Sequence, residues 1–265
     1  CREWAAKYRD GDNPVPMTDP LKTLADLRAG RLAGATHLDL RHCDLDEFPR
    51  EVFALADTLN SLDLSFNRLT ALPDDLPRLH ALRTLFCSGN RFETLPAVLG
   101  ACPVLDLVGF KANAIARVPA ESLSPRLRWL ILSDNRIEAM PETLGDCRGL
   151  MKLALAGNRL ARLPDGIARC ERLELLRLSA NRFERLEHAL PDGLLALPRL
   201  AWLAYAGNPF NGAQEARALA ATPIARIAWH ELQLGELLGE GASGHIWSAR
   251  WRPAAGGDRP VAVKL

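Results

Sequence analysis

Apolar residues recur at fixed positions along the chain, in sets that repeat every 22 to 27 residues around an asparagine. Between Leu127 and Pro141, apolar residues stand eight, five and three positions before Asn135 and two and five positions after it, and a proline follows. A weaker set has Cys43 in the asparagine position. We call each set a coil and number them 1 to 8. The asparagines of coils 2 to 8 are Asn67, Asn90, Asn113, Asn135, Asn158, Asn181 and Asn208.

Each coil is expected to form one turn of a solenoid. Leu130 and Leu132 alternate with Trp129 and Ile131, which predicts a short strand that turns its leucines inward. A single coil cannot bury its apolar face, so successive strands should stack in parallel into a concave sheet. The asparagine amide has donors and an acceptor, and can therefore satisfy backbone groups where the chain turns inward. The proline suits the turn onto the convex side, because it has no N–H to lose.

The eight coils resemble the leucine-rich repeat, whose pattern L-x-x-L-x-L-x-x-N/C-x-L they share. This resemblance implies an α/β solenoid with a curved parallel sheet of about eight repeats, spanning residues 35–212. The long last step, from Asn181 to Asn208, predicts an extra turn near residues 190–194.

Helices are predicted on both sides of the repeats. Asp19 and Pro20 form an N-cap signal, and Leu21, Leu24 and Leu27 follow at helical spacing. Residues 1–34 therefore predict a polar arm and a helix that covers the first coil. Residues 213–228 predict a C-terminal cap helix, ending at residue 221 before a Thr-Pro pair, and a short junction.

The segment 229–265 departs from the repeat pattern and predicts three strands. A G-x-G-x-x-G sequence, formed by Gly239, Gly241 and Gly244, lies between the first two strands, and Lys264 lies on the third. Glycines at a hairpin tip let backbone N–H groups approach phosphate oxygens, and a lysine could reach the same phosphates. A dinucleotide-binding fingerprint does not fit, because it opens a helix and this segment is rich in strand formers.

Together, the glycine sequence and the segment from Val261 to Lys264 resemble the G-x-G-x-x-G-x-V and V-A-I-K motifs of the protein kinase amino-terminal lobe. The resemblance implies that Lys264 pairs with the α- and β-phosphates of ATP and with a helix glutamate, and that Ile246 and Ala262 enclose the adenine. The residues expected to bind ATP are Gly239, Gly241, Ala242, Ser243, Gly244, Ile246, Ala262 and Lys264.

No catalytic residue is expected within this span, because the sequence contains no match for the helix glutamate, the catalytic-loop Asp and Asn or the Mg-binding Asp. The 265 residues look like the beginning of a longer kinase and should be inactive alone. The parent protein is expected to be a protein kinase for Ser or Thr, with Tyr less favoured, that uses ATP and Mg, while the repeats need no cofactor. The alternatives are a non-catalytic interaction scaffold with a pseudokinase or kinase remnant, and a solenoid with no nucleotide role.

Outward strand positions of the middle and last coils are aromatic, apolar or basic, which interface centres favour. The expected partner is a protein or peptide rather than nucleic acid. The competing interpretation is scattered surface apolars, with Trp202 packed on its own cap helix. The residues expected to bind the partner on the concave face are Phe86, Trp129, Ile131, Lys152, Arg177 and Trp202.

Composition changes this picture little. A formal net charge of +1 gives no argument for nucleic-acid binding. The cysteines show no C-x-x-C spacing and four occupy repeat positions, so we expect small core residues, no metal and a reduced, cytoplasmic protein. No apolar run approaches the ~20 residues of a membrane span. Frequent Ala, Leu, Gly and Arg suggest a GC-rich, bacterial source.

Overall fold

The computed structural model describes residues 19–221, 227–241, 244–253 and 256–265, and it divides between Gly212 and Ala213 into two compact units. The first unit contains helix α1 (Pro20–Arg28) and one short strand in each coil. The strands β1 to β8 are His37–Asp39, Ser61–Asp63, Thr84–Phe86, Leu107–Gly109, Trp129–Ile131, Lys152–Ala154, Leu175–Arg177 and Trp202–Ala204.

These eight strands form one parallel sheet in sequence order. Equivalent residues of neighbouring coils lie opposite one another, as the central residues Val108, Leu130 and Leu153 of β4 to β6 show. The central residues of β2 to β7 are fully or almost fully buried, and the residues on either side are at least partly exposed except Gly109 and Ala154. The predicted inward position of each central residue is therefore confirmed.

Short 3₁₀ helices return the chain on the side opposite the sheet. Proline is the residue directly before five of them, at Pro49, Pro96, Pro119, Pro141 and Pro164. The first N–H groups of a helix have no partner within it, so a residue without an N–H costs little there. The 3₁₀ helices of the first unit are Arg50–Leu55, Leu76–Arg78, Ala97–Ala101, Ala120–Ser122, Glu142–Asp146, Asp165–Arg169, Leu194–Ala196 and Pro209–Asn211.

The leucines of the described coils form one continuous core that also includes Leu24 and Leu27 of α1. The Asp19 carboxylate accepts a hydrogen bond from the N–H of Leu21 at 3.0 Å, as expected of an N-cap. Leu21 itself is 60% exposed, so its assignment to the buried face was wrong. The buried face of α1 is therefore shorter than the leucine spacing predicted, since only the second and third turns of the helix contact the core.

Coil 7 contains the irregular insertion. Helix α2 (Leu186–Ala189) begins where Glu187 stands in place of the usual proline. Gly193 then adopts a left-handed conformation with φ 84° and leads into the 3₁₀ helix Leu194–Ala196. The extra turn thus begins about four residues earlier than the interval 190–194 that the sequence suggested.

The residue directly before each coil's asparagine, or before Cys43, is also left-handed, with φ between 54° and 75°. Only three of these eight residues are glycines; Phe66, Ala112 and Ala180 are among the others. A residue with a Cβ strains in this region by about 1–2 kcal/mol. The turn that presents the asparagine is therefore imposed by the stacked coils rather than by local preference.

The second unit contains most of helix α3 (Gly212–Ala221) and the strands β9 (Leu232–Gly241), β10 (Gly244–Trp251) and β11 (Arg259–Lys264). The three strands form an antiparallel sheet in the order β11-β10-β9. Most of the expected junction lies outside the described residues, and the capping role of α3 stays a prediction. The three predicted strands are present.

Candidate functional site

The repeat asparagines join neighbouring coils through their side-chain amides. In Asn135, Nδ2 donates to the carbonyl oxygens of Phe110 at 2.9 Å and Leu132 at 3.0 Å, and Oδ1 accepts from the N–H of Ile115 at 3.0 Å. Asn67, Asn90, Asn158, Asn181 and Asn208 are likewise buried, whereas Asn113 is partly exposed. One amide thus satisfies backbone groups of two coils, which holds the outward strand positions in register.

The outward residues of β1 to β8 form two parallel rows, which we call the strand face. Neighbouring residues in a row belong to adjacent strands, so they are about 4.8 Å apart. The first row is His37, Ser61, Thr84, Leu107, Trp129, Lys152, Leu175 and Trp202. The second row is Asp39, Asp63, Phe86, Gly109, Ile131, Ala154, Arg177 and Ala204.

Four of the six residues expected to bind a partner line one depression of ≈410 Å³ on the strand face of coils 4 to 7. They are Trp129, Ile131, Lys152 and Arg177, and we call this feature the central depression. Its remaining lining residues are Lys111, Ser133, Asp134, Ala154, Ala156 and Leu175. None of these six was among the residues expected to bind the partner, although their spacing from the asparagines places them on the same side of each coil.

Lys152 and Trp129 are in direct contact within the central depression. The Lys152 Nζ lies 4.0 Å from the centroid of the Trp129 ring, in a cation–π arrangement. Burial lowers the pKa of Lys152, the positive charge of Arg177 acts in the same direction, and Glu174 opposes them. Lys111, by contrast, has the Asp134 carboxylate 3.6 Å from its Nζ. The depression thus contains three cationic side chains, Lys111, Lys152 and Arg177, and one carboxylate, that of Asp134.

Phe86 and Trp202 lie on the strand face outside the central depression. The Phe86 ring covers Gly109 of the next strand, where an added Cβ would stand 2.5 Å from the ring. Phe86 is therefore half-buried, because its ring packs directly on the backbone of Gly109, where no side chain is in the way. Trp202 on β8 is 58% exposed and lies opposite Leu175.

The strand face of coils 1 and 2 is acidic. The Arg41 Nη2 lies 2.7 Å from the Asp39 carboxylate, and its Nε lies 3.7 Å from Asp63. The hydrogen bond from Arg41 lowers the pKa of Asp39. Burial raises the pKa of Asp63, although hydrogen bonds from Ser65 oppose this change. The charge of the face thus changes sign between its first coils and the central depression.

In the second unit, three of the residues expected to bind ATP form a row across the sheet. Ile246 of β10 lies opposite Gly239 of β9 on one side and opposite Lys264 of β11 on the other. Ala262 is two residues before Lys264 on β11, so the two share a face. Gly241 pairs with Gly244 at the end of the hairpin, and Ala242 and Ser243 lie outside the described residues.

Strand β9 contains a bulge that the sequence did not reveal. The Ser248 hydroxyl accepts from the N–H of Glu236 at 2.7 Å and donates to its carbonyl oxygen at 3.1 Å. Two residues of β9 therefore oppose one residue of β10. Ala249, 6% exposed, is the one buried hydrophobic residue among the described part of this unit, so the sheet has little core of its own.

The buried cysteines offer little reactivity. The Cys147 Sγ donates to the carbonyl oxygen of Ser124 and the Cys170 Sγ to that of Leu144. Burial raises the pKa of Cys147 to about 12 and that of Cys170 to about 11. Among the residues that the structure describes, there is no group of three side chains suited to hold a metal ion. No helix in those same segments has the length and apolar character to cross a membrane.

Known proteins match the first unit. A family model described as Leucine rich repeat matches residues 33–92 and 125–183. Human leucine-rich repeat-containing protein 58 is 34% identical over 116 residues, which are 42% of this chain and 31% of that protein. Human PH domain leucine-rich repeat-containing protein phosphatase 1 is 29% identical over 110 residues, which are 40% of this chain and 6% of that protein. The chain therefore spans less than a third of either relative.

Two solved structures share the fold. A leucine-rich-repeat protein of Leptospira interrogans superposes with a TM-score of 0.62 and 26% identity, covering 72% of this chain and 46% of that one. The leucine-rich-repeat ectodomain of the Arabidopsis thaliana membrane receptor kinase GASSHO1/SCHENGEN3 gives a TM-score of 0.55 and 28% identity, covering 69% and 22%. The eight coils, their asparagine bonds and these matches together show that the first unit has the leucine-rich-repeat fold.

Proposed function

We propose that this chain is a protein-interaction module whose strand face binds a protein or peptide at the central depression. The observation that carries the proposal is the convergence of Trp129, Ile131, Lys152 and Arg177 on one surface. Tryptophan and arginine are enriched among the residues that dominate binding energy, and partly buried aromatics provide contact area at a small entropic cost.

A structural relative supports a ligand on such a fold. The Arabidopsis thaliana receptor kinase ectodomain was solved in complex with CASPARIAN STRIP INTEGRITY FACTOR 2. Similarity of fold alone does not fix a partner, so the proposal rests on the side chains of the strand face. The net charge of +1 favours a protein over a polyanionic nucleic acid.

A selection experiment tests the proposal without a known partner. Random peptides of about 12 residues, long enough to cross the four strands of the depression, are displayed on phage and selected against the immobilised full chain. Recovered peptides are titrated against Trp129→Ala and Leu195→Ala. Leu195 is a matched control because it is an apolar residue, 69% exposed, on a 3₁₀ helix rather than on the sheet.

We expect Trp129→Ala to weaken binding about 30-fold, the effect of losing a residue worth ~2 kcal/mol. Leu195→Ala should leave affinity unchanged, and both variants should retain the wild-type melting temperature within a few degrees. Recovered peptides whose affinity is unchanged by Trp129→Ala would show that the central depression is not the binding site.

A second function, nucleotide binding by the second unit, is favoured by the row formed by Gly239, Ile246 and Lys264. In this proposal the hairpin covers ATP phosphates and Lys264 contacts them, as in the kinase amino-terminal lobe that the motifs resemble. A parent protein that supplied the catalytic-loop and Mg-binding residues would be a cytoplasmic Ser/Thr kinase, recruited to its partner by the repeats. Without those residues, the protein would act as a scaffold.

Titration of the parent protein with Mg and a fluorescent ATP analogue tests this second function. Lys264→Met should weaken binding at least tenfold, because it removes a charge-assisted contact worth about 1.5–3 kcal/mol. Lys22→Met, which removes an exposed lysine from α1, serves as the matched control. Equal affinity in both variants would contradict the nucleotide role and favour the scaffold.

A further inference from the structure

We propose that the ligand of the central depression is an acidic peptide segment, in which an Asp or Glu side chain meets Lys152 and Arg177 while a neighbouring apolar side chain packs on Trp129 and Ile131. This inference rests on the proposed function, and it adds the chemistry of the partner. Charge complementarity between the two cations and a carboxylate carries it.

The two cations of coils 6 and 7 favour an anion between them. Lys152 and Arg177 line the same depression, and burial together with the positive charge of Arg177 lowers the pKa of Lys152, while Glu174 opposes this change. An arriving carboxylate would relieve the repulsion between the two cations, and a guanidinium can bind it with two parallel hydrogen bonds.

The apolar part of the depression lies on β5, one strand from Lys152 and two strands from Arg177. Trp129 is the register partner of Lys152, and Ile131 is the register partner of Ala154. Successive residues of an extended peptide are about 3.3 Å apart along the chain, and strands are about 4.8 Å apart. A carboxylate over coils 6 and 7 therefore places an apolar residue one or two positions away over coil 5.

The surrounding carboxylates limit how much negative charge the ligand can carry. Asp134 borders the depression, where its carboxylate remains half-exposed beside Lys111, and the negative charge of Glu174 acts on Lys152. Asp39 and Asp63 occupy the strand face of coils 1 and 2, where Arg41 is their common cation. A dianionic phosphate would meet the Asp134 charge, and acidic residues spread along a peptide would meet Asp39 and Asp63. The surface thus fits a single-charged carboxylate at one end of the bound segment.

The peptides recovered by selection on the full chain provide the test. Those that depend on Trp129 are synthesised with amidated C-termini, so that only side-chain carboxylates remain, and titrated by fluorescence anisotropy against Arg177→Gln. Arg182→Gln is the matched control, because Arg182 is an exposed arginine beside Asn181 and does not line the depression. Arg177→Glu is titrated against the same peptides and against versions in which the acidic residue is replaced by Lys.

We expect the Trp129-dependent peptides to be enriched in Asp or Glu within two positions of an apolar residue. Arg177→Gln should weaken them about tenfold or more, as expected for a charge-assisted hydrogen bond, and Arg182→Gln less than twofold. Arg177→Glu should abolish binding, and the Lys-substituted peptides should recover at least part of it.

Three results would overturn the inference: Trp129-dependent peptides without an excess of acidic residues, affinity that is unchanged in Arg177→Gln, or phosphoserine in place of the carboxylate raising affinity more than tenfold. Each of these leaves the proposed protein-binding function intact, because binding still depends on Trp129. Peptides that do not depend on Trp129 at all would remove both the function and the inference.

Discussion

The repeat asparagine is the residue on which each coil most depends. Its amide donates to two carbonyl oxygens and accepts from an N–H of the preceding coil, as Asn135 shows with Phe110, Leu132 and Ile115. Aspartate has the same shape but cannot donate, and an ionised carboxylate in that place would face two carbonyl oxygens.

We expect Asn135→Asp to lower the free energy of unfolding by about 3 kcal/mol or more, because two buried carbonyl groups lose their donor and a charge is buried. Urea unfolding monitored by circular dichroism measures the change. Asn113→Asp is the matched comparison, since Asn113 makes the equivalent bonds to Cys87, Phe110 and Phe92 from a partly exposed position. An equal loss in both variants would contradict the role given to burial.

Asp63 should make stability depend on pH in an unusual direction. Burial raises its pKa above the ordinary value of 3.8, so the folded state binds this proton more tightly than the unfolded chain does. Its contribution is most favourable below pH 3.8 and is lost as the pH rises through the raised folded-state value.

Replacing the Asp63 carboxyl with an amide should therefore reveal the free-energy cost of ionising it in the folded state. We expect the stability of Asp63→Asn relative to wild type to increase as the pH rises from about 3.5 to about 7, measured by urea unfolding at each pH. Asp39→Asn should change with pH in the opposite sense, because Arg41 lowers the pKa of Asp39. Parallel curves for the two variants would contradict this assignment.

At the scale of elements, spacing in the sequence was enough to predict the strands, because each needs only one central apolar residue between outward residues. The prolines indicated where the chain turns onto the convex side, but not that it forms 3₁₀ helices there. The left-handed residues before the asparagines could not be predicted, since Phe66 and Ala180 disfavour that conformation and adopt it under the constraint of the stacked coils. The Ser248 bulge was equally hidden, because it depends on the register between two strands.

The candidate site was only partly visible for a similar reason. Periodicity identified Trp129, Ile131, Lys152 and Arg177 as outward residues, but not which of the six predicted residues share a depression. Phe86 lies outside it because its strand β3 is two strands from β5, and its ring packs over Gly109 of β4. The contact between Phe86 and Gly109 involves two coils, so the sequence of neither coil alone predicts it.

The three-stranded sheet should be much less protected from exchange than the solenoid. Its described residues include one buried hydrophobic, Ala249, whereas β2 to β7 each bury their central residue. We expect amides of β9 to β11 to exchange within minutes in the 265-residue chain and those of β4 to β7 over hours, by hydrogen exchange with mass spectrometry. Protection of β10 equal to that of β5 would contradict this expectation.

At the scale of the whole molecule, the strand face acts as one surface with two charge zones. Asp39 and Asp63 make the first coils acidic, and Lys152 and Arg177 make the later coils basic. Regular stacking is what keeps these residues in rows, so a surface assembled from single residues of many coils depends on the stability of the core beneath it. The nucleotide proposal concerns the second unit and can fail without affecting this surface.

Site-specific photocrosslinking of the parent protein in its own cells tests the protein-binding function of the central depression most directly. A photoreactive benzophenone residue replaces Ile131 in the depression, or Leu195 on the 3₁₀ helix as the control. We expect a discrete crosslinked product from the Ile131 position that disappears with Trp129→Ala, and none from the Leu195 position. The absence of a product at the Ile131 position, together with a discrete product at the Leu195 position, would contradict the account.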